Sequence, residues 1–353
     1  MTRLLGRSIA ALVALGIIAE LMSTVSLRSL MVSTTDPVHM RVQPRGRIPL
    51  LDLVQTDPEQ SCPNPLVLIN DTLGSASIKQ RRIPRIIHVT SKSRCMTHHF
   101  VDTLNAWRNL TNHTLLLHND AAVDRLLFRS WPEFPQLQKA LNCMISGAAK
   151  ADLWRALVLW EYGGMYTDVD NVPGVLFNSS TIHDDDQGFF VVERNKVLSQ
   201  YFMAVEPRHP LMYLLVQAIL HRLYDTPDVE HQYIPFVTGP GALKSAFRQF
   251  MNTQSLGRPG DTTTVNDYDV FLKVRAGVYR GLGNATVRVV GGAMQTNDWI
   301  RRGVILNKQR AYKSMNMTHF DSMERQASNE SCLQKLYHLD EERDIDETEL
   351  WWR

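Results

Sequence analysis

Two aspartates one residue apart, Asp168 and Asp170, close the run EYGGMYTDVD at positions 161–170. Carboxylate oxygens at that spacing suit a hard divalent cation such as Mn²⁺ or Mg²⁺. The spacing alone says little, because the chain repeats it at Asp184/Asp186, Asp267/Asp269 and Asp344/Asp346. A short motif draws its meaning from its setting. What distinguishes the first pair is the stretch leading into it. Asp152 and Arg155 lie three apart on a predicted helix, Ser146 to Tyr162, and so share a face. That face is not the apolar stripe of Leu153, Leu157 and Trp160, so both side chains can point into a cleft. Gly163-Gly164 stops the helix. Met165 to Thr167 reads as a short strand, and the aspartates emerge at its C-terminal end, where open α/β sheets bind ligands. An arginine there can fork hydrogen bonds to a phosphate or hydroxyl. A metal there would offset the charge of a departing diphosphate.

The elements that must hold these groups can be read on both sides. Ile83, Ile86, Ile87 and Val89 form an apolar run after a proline and predict a first strand. A helix over His99 to Leu110 presents Phe100, Leu104 and Trp107 on one face. Thr114 to Leu117 is a second strand and Ala121 to Phe128 a second helix. Further strands fall at Gly188 to Val192 and Tyr201 to Val205, and further helices at His209 to Tyr224 and Gly241 to Met251. Strands alternating with helices predict an α/β fold, a sheet flanked by helices on both faces. Trp107, Trp154 and Trp160 read as core residues at helical spacing. Two other readings of DVDNV fail. The nucleophile motif of haloacid-dehalogenase phosphatases needs an apolar strand near the start of its domain. Here a helix and Gly-Gly precede it. An EF-hand loop would need glycine where Pro173 stands and a bidentate acid where Ser179 stands.

The stretch AAKADLWRALVLWEYGGMYTDVDNV closely resembles the signature of glycosyltransferase family 32, which carries a DxD sugar-binding region. Other segments resemble that family in order: IPRIIHVTSK (83–92), AVEPRHPLM (204–212), VTGPGAL (237–243) and THFDSM (318–323). The resemblance spans residues 83–323. It implies a GT-A-type nucleotide-sugar-binding fold, a nucleotide-sugar donor, a glycan acceptor, Mn²⁺ (or Mg²⁺) and retention of anomeric configuration. It implies a hexose donor, foremost mannose from GDP-mannose, with UDP-galactose and UDP-N-acetylglucosamine as alternatives. A binding protein without catalysis is the alternative of another class. By resemblance, Asp152 and Arg155 hold the donor sugar, and Asp168 contacts ribose or sugar and reaches the metal through water. Asp170 ligates the metal, and His319 is a third contact to metal or diphosphate. His88 and Thr90 lie on the strand where the nucleotide packs, although His88 also reads as a packed residue that orients backbone. Gln200 stands where the family often has asparagine, and Asp321-Ser322-Met323 where it usually has Gly-Ser-Trp.

The ends of the chain supply a compartment. Residues 8–27 carry one charge, Glu20, with Arg3 and Arg7 before them and Arg28 after. Their length suits a membrane-crossing helix. A signal anchor is the first reading, a cleaved signal peptide the second. The expected organisation is a cytoplasmic tail at 1–7, the anchor at 8–27 and a proline-broken stem at 28–80. A catalytic domain at 81–330 and a C-terminal tail at 331–353 follow. Cys62 and the apolar patch Leu66 to Ile69 predict that the stem's far end docks on the domain. Seven Asn-x-Ser/Thr sequons begin at Asn70, Asn109, Asn112, Asn178, Asn284, Asn316 and Asn329. Four cysteines allow two disulfides in three pairings. Together these place the domain in the secretory lumen. The anchor reading makes the chain a single-pass type II membrane protein, and the family resemblance implies the Golgi membrane. The formal charge of +2 gives no basic excess, so no nucleic-acid partner is expected.

Overall fold

A computed structural model of the chain describes residues 48–54, 61–74, 81–144, 146–174, 176–192, 197–225, 234–252, 274–291 and 312–315. All of them fall in one unit, residues 47–353. In chain order the elements are α1 (Leu50–Val54), β1 (Val67–Leu68), β2 (Ile86–Thr90), β3 (Cys95–Met96), α2 (His98–Arg108) and β4 (Thr114–His118). Then come α3 (Asp120–Leu127), α4 (Leu137–Asn142), α5 (Gly147–Tyr162), β5 (Gly164–Thr167), β6 (Gly188–Val192) and β7 (Leu198–Val205). α6 (Pro210–Asp225), α7 (Ile234–Val237), α8 (Pro240–Asn252), β8 (Gly277–Arg280), a 3₁₀ turn (Leu282–Asn284) and β9 (Thr286–Val290) complete them.

Seven strands form one mixed sheet in the order β4-β2-β5-β7-β6-β9-β8. β4, β2 and β5 run parallel, so Thr90, His118 and Thr167 end at one edge. β7 runs antiparallel to β5 and brings its N-terminal half to that edge. One core cluster packs Phe100, Leu104 and Trp107 of α2 against Val89 and Phe202 of the sheet. The other packs Leu153 and Leu157 of α5, Leu215 of α6 and Phe247 of α8. This is the expected α/β sheet with helices on both faces.

Local chemistry sets the boundaries that matter for the site. Ser146 caps α5 by accepting from the Ala149 N–H, which satisfies one orphan donor of the first turn. The helix ends where Gly163 (φ 65°) and Gly164 (φ 96°) take left-handed backbone. Space enforces the same choice. A Cβ on Gly163 would lie 2.6 Å from Pro207, and one on Gly164 2.8 Å from the Ile86 carbonyl. His88 underlies this turn. Its Nε2–H donates to the Gly163 carbonyl at 3.1 Å, and its Nδ1 lies 3.1 Å from His118 Nε2, which donates to it.

The folded unit takes in residues upstream of Arg81. Val67 and Leu68 pair with Met96 and Cys95, Cys62 is disulfide-bonded to Cys95, and Ile69 is buried. Cys143 is disulfide-bonded as well. Packing of α1 Leu53 against the core adds a helix within a stretch that the sequence reads as stem. No helix among the described residues is long and apolar enough to cross a membrane. Residues 8–27, where the anchor is expected, lie outside them.

Two outcomes follow. Gly163→Ala forces a Cβ into Pro207 and a strained φ, so it should lower stability by about 1–3 kcal/mol, read as a fall in the urea midpoint. The second concerns pH. Burial holds the imidazoles of His88, His113 and His209 down at about 4, and His118 well below its ordinary range. The unfolded chain therefore binds protons that the native state refuses. Stability is full above pH 6.5 and is lost as pH falls toward 4, with a slope of roughly 1.4 kcal/mol per pH unit for each histidine fully titrating. Urea titrations between pH 7.5 and 4.5 should show that decline. A flat profile would contradict the buried neutral histidines.

Candidate active site

Arg155 is the hub of the polar cluster at the C-terminal edge of β5. It is 9% exposed, on the sheet-facing side of α5. Its Nη1 donates to the Gln200 carbonyl at 3.0 Å. Nη2 lies 3.1 Å from Asp152 Oδ1 and 3.3 Å from Asp168 Oδ1. The guanidinium stacks 4.5 Å from the centre of the Tyr166 ring. Burial alone would lower its pKa. Tyr166 and the carboxylates of Asp168, Asp152 and Asp170 outweigh burial and raise it, so the charge is permanent.

Asp152 is held from the other side. Its Oδ2 accepts from the Thr238 hydroxyl at 2.7 Å. Burial pushes its pKa up to about 6, with Arg155 and then Thr238 opposing that rise. Gln200 Nε2 donates to the Thr238 carbonyl at 3.1 Å. One residue of the α7–α8 junction thus ties together α5 and β7.

The aspartate turn is pinned at several points. The Asp168 N–H donates to the Tyr201 carbonyl, and the Asn171 N–H returns to the Asp168 carbonyl. Asn171 Nδ2 donates to Thr167 Oγ1 at 2.9 Å. From the opposite face of the sheet, the indole of Trp107 donates to the Asn171 carbonyl at 2.7 Å. Trp107 itself stacks on Phe202 at 5.7 Å. Asp168 Oδ1 also accepts from Tyr166 at 2.5 Å. Asp170 is 7% exposed, with the Tyr312 hydroxyl 3.5 Å from its Oδ2. Burial, the largest cause in each case, raises the pKa of both phenols, which remain donors toward the carboxylates.

The donor set suits a hard cation. Among the described residues gathered here, one guanidinium meets three carboxylates, Asp152, Asp168 and Asp170. Such an excess of negative charge attracts a divalent ion. Asp168 Oδ1 is spent on Arg155 and Tyr166. A second group, His183, Asp185 and Asp186, brings its ligand atoms within 4.8 Å of one another. There Asp186 already takes Arg288 through both oxygens, at 2.8 and 2.5 Å. That pair fastens the β5–β6 connection to β9.

Asp152, Arg155, Asp168, Asp170 and Gln200 therefore come together. Thr90 ends β2 at the same edge, with its hydroxyl on the His118 carbonyl at 3.1 Å. His88 is fully buried, with both ring nitrogens engaged inside the protein, so it acts on the Gly163 turn rather than on a ligand. His319 lies outside the described residues. The sequence reading misses three neighbours. Tyr166 had a signal, being two residues from Asp168. Thr238 lies within the VTGPGAL segment already singled out. Nothing in the sequence marks Tyr312.

Comparison with known proteins bears on this arrangement. Residues 61–186 match the family model described as "Glycosyltransferase sugar-binding region containing DXD motif". Over these residues the chain is similar to DXD-type glycosyltransferase sugar-binding regions. The match runs from Ser61 through β5 and contains Asp152, Arg155, Asp168 and Asp170; Gln200, Thr238 and Tyr312 lie beyond it. Among solved structures the chain is similar to one titled "PaToxG Glycosyltransferase". That pair shares 14% identity over 49% of this chain and 70% of the other, with a TM-score of 0.37, a likeness too slight to carry any argument. No curated protein matches significantly.

Thr238→Val tests the tie between α5 and β7. It removes one donor from a buried carboxylate while keeping shape. Leaving such a group short of a partner costs about 1–3 kcal/mol. The expected result is a lower urea midpoint at pH 7.5. Below pH 5, where Asp152 is protonated, the deficit should shrink.

Proposed function

We propose that the chain is a metal-dependent, retaining glycosyltransferase that moves a hexose from a sugar nucleotide to a hydroxyl of a glycan acceptor. The observation that carries this reading is the cluster of buried Asp152 and Arg155 with half-buried Asp168, placed against Asp170 inside a stretch similar to DXD-type regions. The mixed sheet with helices on both faces supports a GT-A-type domain. In this reading Asp152 accepts from donor-sugar hydroxyls, and Arg155 orients Asp152 and Asp168 and offsets diphosphate charge. Stabilising charge as it develops on the leaving group is the main electrostatic task of such a site. Asp170 is the direct ligand of Mn²⁺ or Mg²⁺, because Asp168 already serves Arg155 and Tyr166 through Oδ1. Asp168 contacts ribose or sugar. His319 completes the metal or diphosphate contacts. Asp170 and His319 would hold the metal, which would supply positive charge against the departing diphosphate.

Thr90 and Gln200 border the donor, Gln200 through the backbone that holds Arg155. Fixed dipoles and charges of this kind need little reorganisation when the sugar–phosphate bond breaks. The leaving phosphate itself is the base for the acceptor hydroxyl. Mannose from GDP-mannose is the first donor to test, before UDP-galactose and UDP-N-acetylglucosamine. The organisation proposed with it is a type II Golgi membrane protein, anchored through residues 8–27 with the catalytic domain lumenal.

Donor turnover tests the reading. The chain from residue 48 onward is offered the three donors with Mn²⁺, and release of nucleoside diphosphate is followed. Release from one donor is expected, with loss of at least about 100-fold in Asp170→Asn, or about 2.7 kcal/mol in the barrier, and equal loss on chelation. Mn²⁺ and nucleotide binding without release from any donor, across a panel of glycan acceptors, would make the chain a binding protein instead.

A further inference from the structure

Five sequon asparagines fall on described residues: Asn70, Asn109, Asn112, Asn178 and Asn284. All five are exposed. Their positions in the fold are not scattered. The ends of the strands can be compared by register. Thr90, His118 and Thr167 mark the edge that carries the aspartates, and Ile86, Thr114 and Gly164 mark the opposite edge. Asn109 and Asn112 lie in the α2–β4 connection, immediately before Thr114 and so at the opposite edge. Asn178 lies in the β5–β6 connection where it has returned to that edge. There the Ser179 carbonyl accepts from Arg85, the residue before β2, at 3.2 Å, and the hydroxyls of Ser179 and Thr111 meet at 2.8 Å. Asn284 lies in the β8–β9 turn, before Thr286. Because β9 runs parallel to β6 from its N-terminal end, this turn is again at the opposite edge. Asn70 sits on the flank beside β4, and its carbonyl accepts from Arg108, the last residue of α2, at 2.5 Å. Among the described residues four sequons lie at the opposite edge, and Asn70, level with the C-terminal half of β4 because Thr72 pairs with Leu115, lies two strands away from β5 and its aspartates.

Two further observations bear on chemistry. Cys62–Cys95 and the disulfide at Cys143 belong to an oxidising compartment. Moreover, the sequon hydroxyls of Thr111 and Thr114 are used in the fold, Thr111 by Ser179 and Thr114 by the Gly74 N–H at 3.0 Å. A transferase that must grip those hydroxyls would have to act before the chain folds.

We propose that the chain is itself N-glycosylated at Asn70, Asn178, Asn284 and one of the Asn109/Asn112 pair, all away from Asp168 and Asp170. The co-reactant is a lipid-diphosphate-linked oligosaccharide. The carboxamide nitrogen forms a bond to the sugar's anomeric carbon, and the bond from that carbon to the diphosphate oxygen breaks. The diphosphate leaves with the electron pair, and the amide gives up one proton. Asn109 and Asn112 are three residues apart, too close for two oligosaccharides, so one of them is used. The pattern leaves the aspartate edge open to large partners while hydrated sugar covers the rest.

Peptide mapping tests this on the unaltered protein. The full chain is produced in a eukaryotic cell, its disulfides are verified, and it is treated with peptide-N-glycosidase in heavy-oxygen water. Conversion of asparagine to labelled aspartate is expected at Asn70, Asn178, Asn284 and at Asn109 or Asn112 in each molecule. Unmodified asparagine at all five in a folded, disulfide-bonded protein would overturn the proposal, as would modification confined to Asn316 and Asn329. Asn178→Gln and Asn284→Gln should each remove one glycosidase-sensitive step in mass. A variant that keeps every step would remove its site from the assignment.

Discussion

A guanidinium kept out of water governs this structure. Arg155 sits inside the fold, and its burial is tolerable only while its donors are matched by fixed acceptors. Those acceptors come from three directions: Asp152 on its own helix, Asp168 after β5 and the Gln200 carbonyl on β7. Each must be delivered to within about 3 Å. The order β2-β5-β7, with β7 reversed against β5, delivers them, since only the reversed strand brings Gln200 to the edge where Asp168 emerges.

Two supports lie beneath that cluster. On one side, His88 spans two strands and the glycine turn, bonding Gly163 through Nε2 and meeting His118 through Nδ1. On the other, Trp107 reaches across from the second core to the carbonyl that follows Asp170. The aspartate turn is thus anchored in both hydrophobic clusters at once. Neither residue needs to touch a ligand to fix where the carboxylates point.

Much of this was legible in the sequence because its signals are local. Ser146 and Gly163-Gly164 punctuate a strong apolar period, so α5 was readable to within a residue. Asp152 and Arg155 declared a shared face through spacing alone. What was not legible depends on pairing at a distance. Thr238 before Gly-Pro reads as a helix start, and nothing local shows that its hydroxyl belongs to a carboxylate on another helix. β8 is largely exposed at the sheet's edge and offers no apolar run. The prolines before Arg81 hid the docking of Leu53, whereas that of Val67 and Leu68 was legible in the apolar patch after Cys62. His88 read first as a packed residue that orients backbone and only second as one that faces a ligand, because a strand sequence does not say which neighbours cover it.

The spread of the cluster along the chain has a consequence for synthesis. The signature from Asp152 to Asp170 leaves the ribosome before Gln200, Thr238 and Tyr312 exist. Domains fold as units once their parts are available, N-terminal segments being made first. Until then Arg155 has no β7 carbonyl and Asp152 no threonine, so the helix that bears them has reason to stay wet. A nascent chain stalled after Asp170 would hold the whole recognisable motif and none of its geometry. The recognisable stretch and the working unit therefore differ in length, and fragments cut to the former would be poor guides to the latter.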